Sequence, residues 1–345
     1  MPITISFERL SSDRVAVHLN GQQVSDFEPA ALLVDQPLAP HRPTPTDPCA
    51  YGQRLWAALG GTTLGNAVNK LPNAPNLNSM VAIRTNDPDL AAIPWEYLHN
   101  GTDFLMFKKL LVRVVPNAPV PAPPDPTKPW RLVVMDSDPL VREVRDDSGK
   151  LQGYAKLPRL KVVRELDTLR DTLLKQEAPM RWHRIAPTAT ALIDELVPSE
   201  PVLFHYTGHG DVVDGRPILC FDDGTGCMDP HPVPDLAANL RGLVHLAFLN
   251  ACRTADSCEP GANLALALVQ NGIPVVLGTQ YTVLDQAASM FAETFYRQLA
   301  HGNHPAQALY RARLQLKNKY RNEPQEWALC SILLRATTGK PSSQN

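Results

Sequence analysis

Two residues have the types and setting to do covalent chemistry together. His209 stands in Tyr206-Thr207-Gly208-His209-Gly210-Asp211, and Cys252, 43 residues on, in Asn250-Ala251-Cys252-Arg253-Thr254. A thiolate is the reactive form of cysteine, and an imidazole within reach can lower the thiol pKa or take its proton during acyl transfer. Alone, Cys252 reads as a buried structural cysteine; the flanked histidine changes that balance. Gly208 and Gly210 leave the backbone at His209 free to turn and let a substrate carbonyl approach the Gly210 N–H. That donor and the Cys252 N–H would form an oxyanion hole, where losing one donor costs about 100-fold or more in rate. His205 lies an even offset before His209, which puts both on one side of a strand, and it reads as a hydrogen-bonded core histidine. A metal site from His205, His209 and Cys252 has no further carboxylate or thiol at ligand spacing, so no metal and no cofactor are expected.

The elements that must position these residues are apolar strands alternating with helices from Trp130 onward. The strands are Trp130 to Met135, MRWHRIA, VLFHYTG, LVHLAFLNA and PVVLGTQ, and WALCSILLRA closes the series. Helical spacing marks Leu160 to Leu174, TATALIDELV, PDLAANL, GANLALALVQNG, DQAASMFAETFYRQLAHG and HPAQALYRARLQLKNKY. Buried strands separated by helices imply a parallel sheet covered on both faces, with ligands bound beyond the carboxyl ends of its strands. His209 and Cys252 follow two such ends directly. The helix leading to Leu264 would start near Cys252, where aligned N–H groups favour a thiolate. Asp136 and Asp138 follow the first strand, and two readings stand open for them. They could form an acidic pocket selecting Arg or Lys in a substrate, or they could cap the turn before Pro139.

The chain holds 33 prolines against 19 glycines. Seven prolines fall between Pro116 and Pro129 and mark a joint, dividing the chain into residues 1–115, a linker at 116–129, and residues 130–345. Pro37 to Pro48 reads as an extended loop. Before the joint, ITISFERL, RVAVHLNG, MVAIRTNDPDL and FLMFKKLLVRVV read as strands and YGQRLWAAL as a short helix, with no clustered nucleophile and base. This half reads as a structural or docking unit. Val141 to Lys161 is polar and carries Arg142, Arg145, Lys150, Lys156, Arg159 and Lys161, so it reads as an exposed loop open to nicking, including self-processing. Arg311, Arg313, Lys317, Lys319 and Arg321 read as a solvated helix face.

The motifs resemble a known family. HYTGHGD and LNACRTAD are similar to the His-Gly and Ala-Cys motifs of caspase-like cysteine peptidases, with Asn250 and Thr254 where the caspase pattern has Gln and Gly. The nearer resemblance is to the CHAT branch of that clan, common in bacteria. It extends through VVLGTQYTVLDQAA, FYRQLAHG, Ala306 to Ala312, EWALCSILL and, before the joint, IPWEYL. The resemblance implies an α/β fold: a mostly parallel six-stranded sheet with helices on both faces, preceded by a smaller degenerate caspase-like or docking domain. It further implies Cys252 as nucleophile, His209 as general base and no required third carboxylate. Asn250 and the Met135 to Asp138 segment would line the pocket for the residue before the scissile bond. The implied activity is that of a regulated endopeptidase in bacterial defence or cell death, cleaving a partner protein and switched on by a sensor. A non-catalytic adaptor with the same fold and a small-substrate amidase are the alternatives.

Composition sets the outer limits. With 33 Lys+Arg against 35 Asp+Glu, no net field draws the chain to nucleic acid or anionic membrane. The absence of a long apolar run or a basic, then apolar start leads to the expectation of a cytoplasmic protein. Six cysteines without C-x-x-C spacing imply reduced thiols.

Overall fold

Every residue from Val202 to Gly210 is buried, because alternate side chains of this strand serve two different cores. Leu203 joins one, with Leu132, Val134, Leu246 and Phe248; Val202, Phe204 and Tyr206 join the other, with Val133, Met135, Ala247 and Leu249. Fully burying one such side chain stabilises by about 1.5–3 kcal/mol, so a strand of this kind belongs inside a sheet covered on both sides. The computed structural model describes residues 2–32, 45–116, 128–160, 162–175, 180–196, 200–213, 215–253, 262–279, 285–321, 323–328 and 330–335. Much of the proline-rich joint and of the Pro37 to Pro48 loop lies outside them.

The first half contains β1 (Ile3–Arg9), β2 (Val15–Leu19), β3 (Gln22–Phe27), α1 (Pro48–Ala58), α2 (Gly61–Asn69), β4 (Met80–Arg84), α3 (Pro88–Ala92) and β5 (Leu110–Val115). The second begins with β6 (Trp130–Ser137), β7 (Val141–Arg145), β8 (Leu151–Lys156), α4 (Val162–Lys175), β9 (Met180–Ile185) and α5 (Ala189–Glu195). It continues with β10 (Val202–Val213), β11 (Arg216–Asp222), β12 (Met228–Pro232), α6 (Val233–Leu240), β13 (Val244–Arg253), α7 (Ala262–Gln270) and β14 (Val275–Thr279). Helices α8 (Asp285–Ala300), α9 (Pro305–Lys319) and α10 (Pro324–Ala328) precede β15 (Cys330–Arg335).

The second half supplies the expected six-stranded run in the order β9-β6-β10-β13-β14-β15, parallel except where β15 meets β14. Its α/β architecture and covered faces agree with the sequence. The sheet is larger than that run. At one side β15 pairs in parallel with β5, and the order continues β5-β4-β1-β2-β3. At the other, β11 and β12 extend from the far end of β10. Strands β3 and β12 lack an apolar run that periodicity could flag, whereas β11 carries one, Ile218 to Phe221, outside the strands expected from the sequence. β12 carries Pro230 and Pro232 on the outer edge, where no neighbour needs their missing N–H groups.

Four expectations are corrected. Val141 to Lys156 is not a loop but the antiparallel hairpin β7–β8, closed by a turn in which Asp146 accepts from the Ser148 and Lys150 N–H groups and Gly149 has φ +81°. MVAIRTNDPDL is a strand only to Arg84, because Asp87 caps α3 through the Asp89 and Leu90 N–H groups and Pro88 opens the helix. Likewise FLMFKKLLVRVV is extended only from Leu110. The basic face of α9 is solvated at Arg311 and Lys319 but not at Arg313, which is 1% exposed.

Arg313 joins the two halves. Its Nη2 donates to the Cys330 carbonyl at 2.6 Å and lies 3.5 Å from Glu96 Oε1, in the Pro94-Trp95-Glu96 segment. Glu96, 2% exposed, also receives Arg113 of β5 through Nε at 3.2 Å and Nη2 at 2.5 Å. Arg113 satisfies its remaining donors on the Ala91 and Ile93 carbonyls. Removing one partner of a buried ion pair leaves an uncompensated charge. Glu96→Gln should therefore lower unfolding stability by about 3–5 kcal/mol in urea titrations, whereas Arg311→Ala on the same helix as Arg313 should change it by less than about 0.5 kcal/mol.

Candidate active site

Strand β10 changes partner along one edge. Val202 to Gly208 pair with β6, ending at Gly208↔Ser137, and Gly210 to Val213 pair with β11, starting at Gly210↔Leu219. His209 falls between, where neither strand provides a register partner. Its carbonyl is satisfied instead by the Tyr206 hydroxyl at 2.7 Å, which lies 2.8 Å from the Cys220 carbonyl as well. Ser137 Oγ donates to that same Cys220 carbonyl at 2.6 Å. Along its other edge β10 keeps β13 as partner from Val202 to Gly210, and the register sets His209 against Cys252, with Gly208↔Ala251 and Gly210↔Arg253 on either side. The two sequence motifs thus occupy neighbouring positions on adjacent central strands, at the carboxyl end of β13 and where β10 leaves β6.

The chain does not turn at His209, as the flanking glycines led one to expect; β10 continues to Val213. Close packing accounts for both glycines. A Cβ on Gly208 would sit 2.6 Å from Tyr206 Oη and 2.7 Å from the Ser137 carbonyl oxygen, and one on Gly210 would sit 3.0 Å from Leu264 Cδ1. Residues 254–261, between β13 and α7, lie outside the described residues, and with them the expected approach of a helix N-terminus to Cys252.

Around the histidine, the structure gives every polar group expected from the sequence an internal neighbour. Asp138, one residue beyond the end of β6, places Oδ1 3.7 Å from His209 Nε2. It also receives the Leu160 N–H at 3.2 Å and Arg159 Nη2 at 2.9 Å. Asp136 holds Arg184 of β9 through two bonds of 2.8 and 2.6 Å. Asn250, register partner of Thr207, donates to its hydroxyl at 3.3 Å. Sequence reasoning did not find Tyr206, Ser137, Arg159 or Arg184, whose parts depend on which strands become neighbours. His209 itself is 2% exposed, and burial holds its pKa below the ordinary histidine value, against the opposing pull of Asp138, the Pro158 carbonyl and Asp211. A neutral imidazole at neutral pH is the form that accepts a proton.

His205 is the core histidine its position suggested. It is fully buried, stacks on Phe248 at 4.9 Å and shares a 2.5 Å hydrogen bond with the Tyr296 hydroxyl. Burial pushes its pKa down to about 3. The unfolded chain, with an ordinary histidine pKa of about 6.5, binds the proton first, so stability that is complete above that pH is lost as pH falls toward 3. Urea midpoints should decline from pH 7 to pH 5, and less steeply in His205→Gln. Gly208→Ala should destabilise by about 1–3 kcal/mol through overpacking against Tyr206 and Ser137, measurable in the same titrations.

Comparison with known proteins places this geometry. The sequence matches the CHAT domain over residues 50–335. No curated protein matches it. Among solved structures, the chain is similar to one in the Saccharomyces cerevisiae separase–securin complex, at 15% identity and a TM-score of 0.42, over 74% of this chain and 15% of that one. It is also similar to the Arg-specific cysteine proteinase gingipain R, at 10% identity and a TM-score of 0.46, over 83% of this chain and 66% of that one. A complex of the Porphyromonas gingivalis RgpB pro- and mature domains gives 11% identity and a TM-score of 0.43, over 83% and 68%. The CHAT match runs from α1 to β15 and takes in both motifs, the Glu96 segment and all six strands of the central run: the chain belongs to the CHAT domain family.

Proposed function

We propose that this chain is a cysteine endopeptidase whose nucleophile is Cys252 and whose general base is His209. The observation that carries the reading is the pairing of these two residues in register on β10 and β13, at the carboxyl end of β13 and where β10 leaves β6, in a fold of the caspase-like type. In the proposed cycle the Cys252 thiol passes its proton to His209, and the sulfur bonds to the scissile carbonyl carbon. The carbonyl electron pair moves to oxygen, which the Gly210 and Cys252 N–H groups receive. The amine leaves with the proton from His209, and water, deprotonated by the same imidazole, releases the acid from the thioester. No metal or cofactor enters these steps.

Membership of the CHAT family supports a protein as substrate, a regulated role in bacterial defence or cell death, and an activating sensor as partner. Residues 1–115 would serve as the non-catalytic docking part, with 116–129 as linker to the peptidase part at 130–345. No helix among the described residues is long and apolar enough to cross a membrane, and we place the activity in the cytoplasm. A basic residue before the scissile bond belongs to the proposal: Asp136 and Asp138 already hold guanidinium groups, and the one on Asp138 belongs to Arg159, whose side chain is 64% exposed and free to give way. Asn250 would line the same pocket.

A peptidyl electrophile bearing arginine should label Cys252 stoichiometrically, and His209→Ala should slow that labelling by about 100-fold or more. Failure to label under activating conditions would favour the adaptor reading, and equal labelling by peptides without a basic residue would remove the acidic pocket.

A further inference from the structure

The register that sets His209 beside Cys252 sets a third residue in the same row. On the far side of β10, the pair Gly208↔Ser137 is the last between β10 and β6, so the next residue of each chain is His209 and Asp138. Asp138, His209 and Cys252 therefore occupy one level across three neighbouring strand ends. The Asp138 side chain is only 12% exposed; Arg159 pairs with its Oδ2, while Oδ1 accepts from the Leu160 N–H and faces the imidazole. His209 Nε2 is buried and has no hydrogen-bond partner among the described residues. At 3.7 Å the carboxylate acts on that nitrogen through its charge, and a small rotation of either side chain would close a hydrogen bond, as catalytic contacts often do only once substrate is bound.

We propose that Asp138 is the positioning residue for His209: it orients the imidazole toward the end of β13 that carries Cys252 and stabilises the imidazolium formed when the thiol proton is transferred. Asp138 is not itself protonated in the step. The thiol proton moves to the neutral imidazole, the ring becomes cationic, and the carboxylate beside it balances the charge before the proton passes to the leaving amine. The other groups facing His209 are Asp211 on its own strand, the Pro158 carbonyl from the segment after β8, and Arg159, which reaches it only through Asp138. Of these, Asp138 opposes the effect of burial most strongly. The role differs from that of a substrate pocket, because it needs no basic residue in the substrate.

The proposal rests on the His209–Cys252 reading, and its test is separable from that reading. The first measurement is the titration of His209 by NMR in the full chain, without turnover. An opposite charge within about 4–6 Å shifts a pKa by about 1–3 pH units, so Asp138→Asn should lower the His209 pKa by at least about one unit. Asp138→Glu should restore part of it, and Arg159→Ala, which frees the carboxylate from its guanidinium, should raise it. The second measurement is alkylation of Cys252 by iodoacetamide, a probe that uses no substrate pocket. Asp138→Asn should slow it at neutral pH, with partial recovery in Asp138→Glu. In peptide hydrolysis Asp138→Asn should reduce kcat. An unchanged His209 pKa in both Asp138→Asn and Arg159→Ala would overturn the proposal, as would a change confined to KM, which would assign Asp138 to the substrate pocket alone. If wild-type Cys252 resists alkylation while His209 responds to both variants, the electrostatic coupling stands and the peptidase reading is what fails.

Discussion

A strand can have one hydrogen-bonding neighbour on each edge, and the site depends on where β10 exchanges one neighbour for another. β6 ends at Ser137 and β11 begins its pairing at Leu219, so one residue of β10 has a free edge inside the protein. Left unsatisfied, a buried carbonyl there would cost on the order of 1–3 kcal/mol. Tyr206, three residues earlier on the same strand and with its ring folded beneath Gly208, supplies the missing donor. The same gap in the ladder gives the His209 side chain space beside the residue that leaves β6. The irregularity that puts a histidine against a carboxylate is thus a consequence of ending one strand a residue before the next begins, with β13 holding the opposite edge in register from Leu203 to Gly210.

The larger assembly is held by a different kind of contact. β5 and β15 bring the first half of the chain onto the edge of the central run, and beneath that edge Glu96 is enclosed by Arg113 and Arg313. Two guanidinium groups on one carboxylate leave positive charge in the interior. The carbonyls of Ala91, Ile93, Leu111 and Cys330 point at it and offset the excess. These carbonyls come from α3, the segment after it, β5 and β15, so the cluster fixes the PWE segment, a long helix and two strands in a single arrangement.

Much of this was legible in the sequence. Apolar strands such as VLFHYTG and LVHLAFLNA announce themselves because both faces are buried, and helices such as α9 carry their own punctuation, with His304 capping and Pro305 at the first turn. The pairing of the two motifs follows from two strands being adjacent. What could not be read is what depends on neighbours far away in the chain. β12 has the polar and proline residues typical of an edge; Arg313 has the spacing of a solvated residue and is buried by a segment more than two hundred positions earlier. Gly208 suggested a turn, and its actual reason, a tyrosine ring folded beneath it, exists only in three dimensions. Asp138 drew notice as an acid at a strand end, but nothing local distinguishes an acid facing a substrate from one facing a histidine.

The β5–β15 junction also imposes an order in time. Every strand of the first half is synthesised long before β15, yet β5 has its second neighbour only when that last strand arrives. Until then one side of an apolar strand stands open, and the contact that closes it spans most of the chain, the kind of closure that makes folding slow. Arg113, on β5, and Glu96 are available to each other early; Arg313 and the Cys330 carbonyl reach them last. Completion of the sheet and completion of the charge cluster are therefore one late event, and an incomplete chain carries both an unfinished edge and an unbalanced interior.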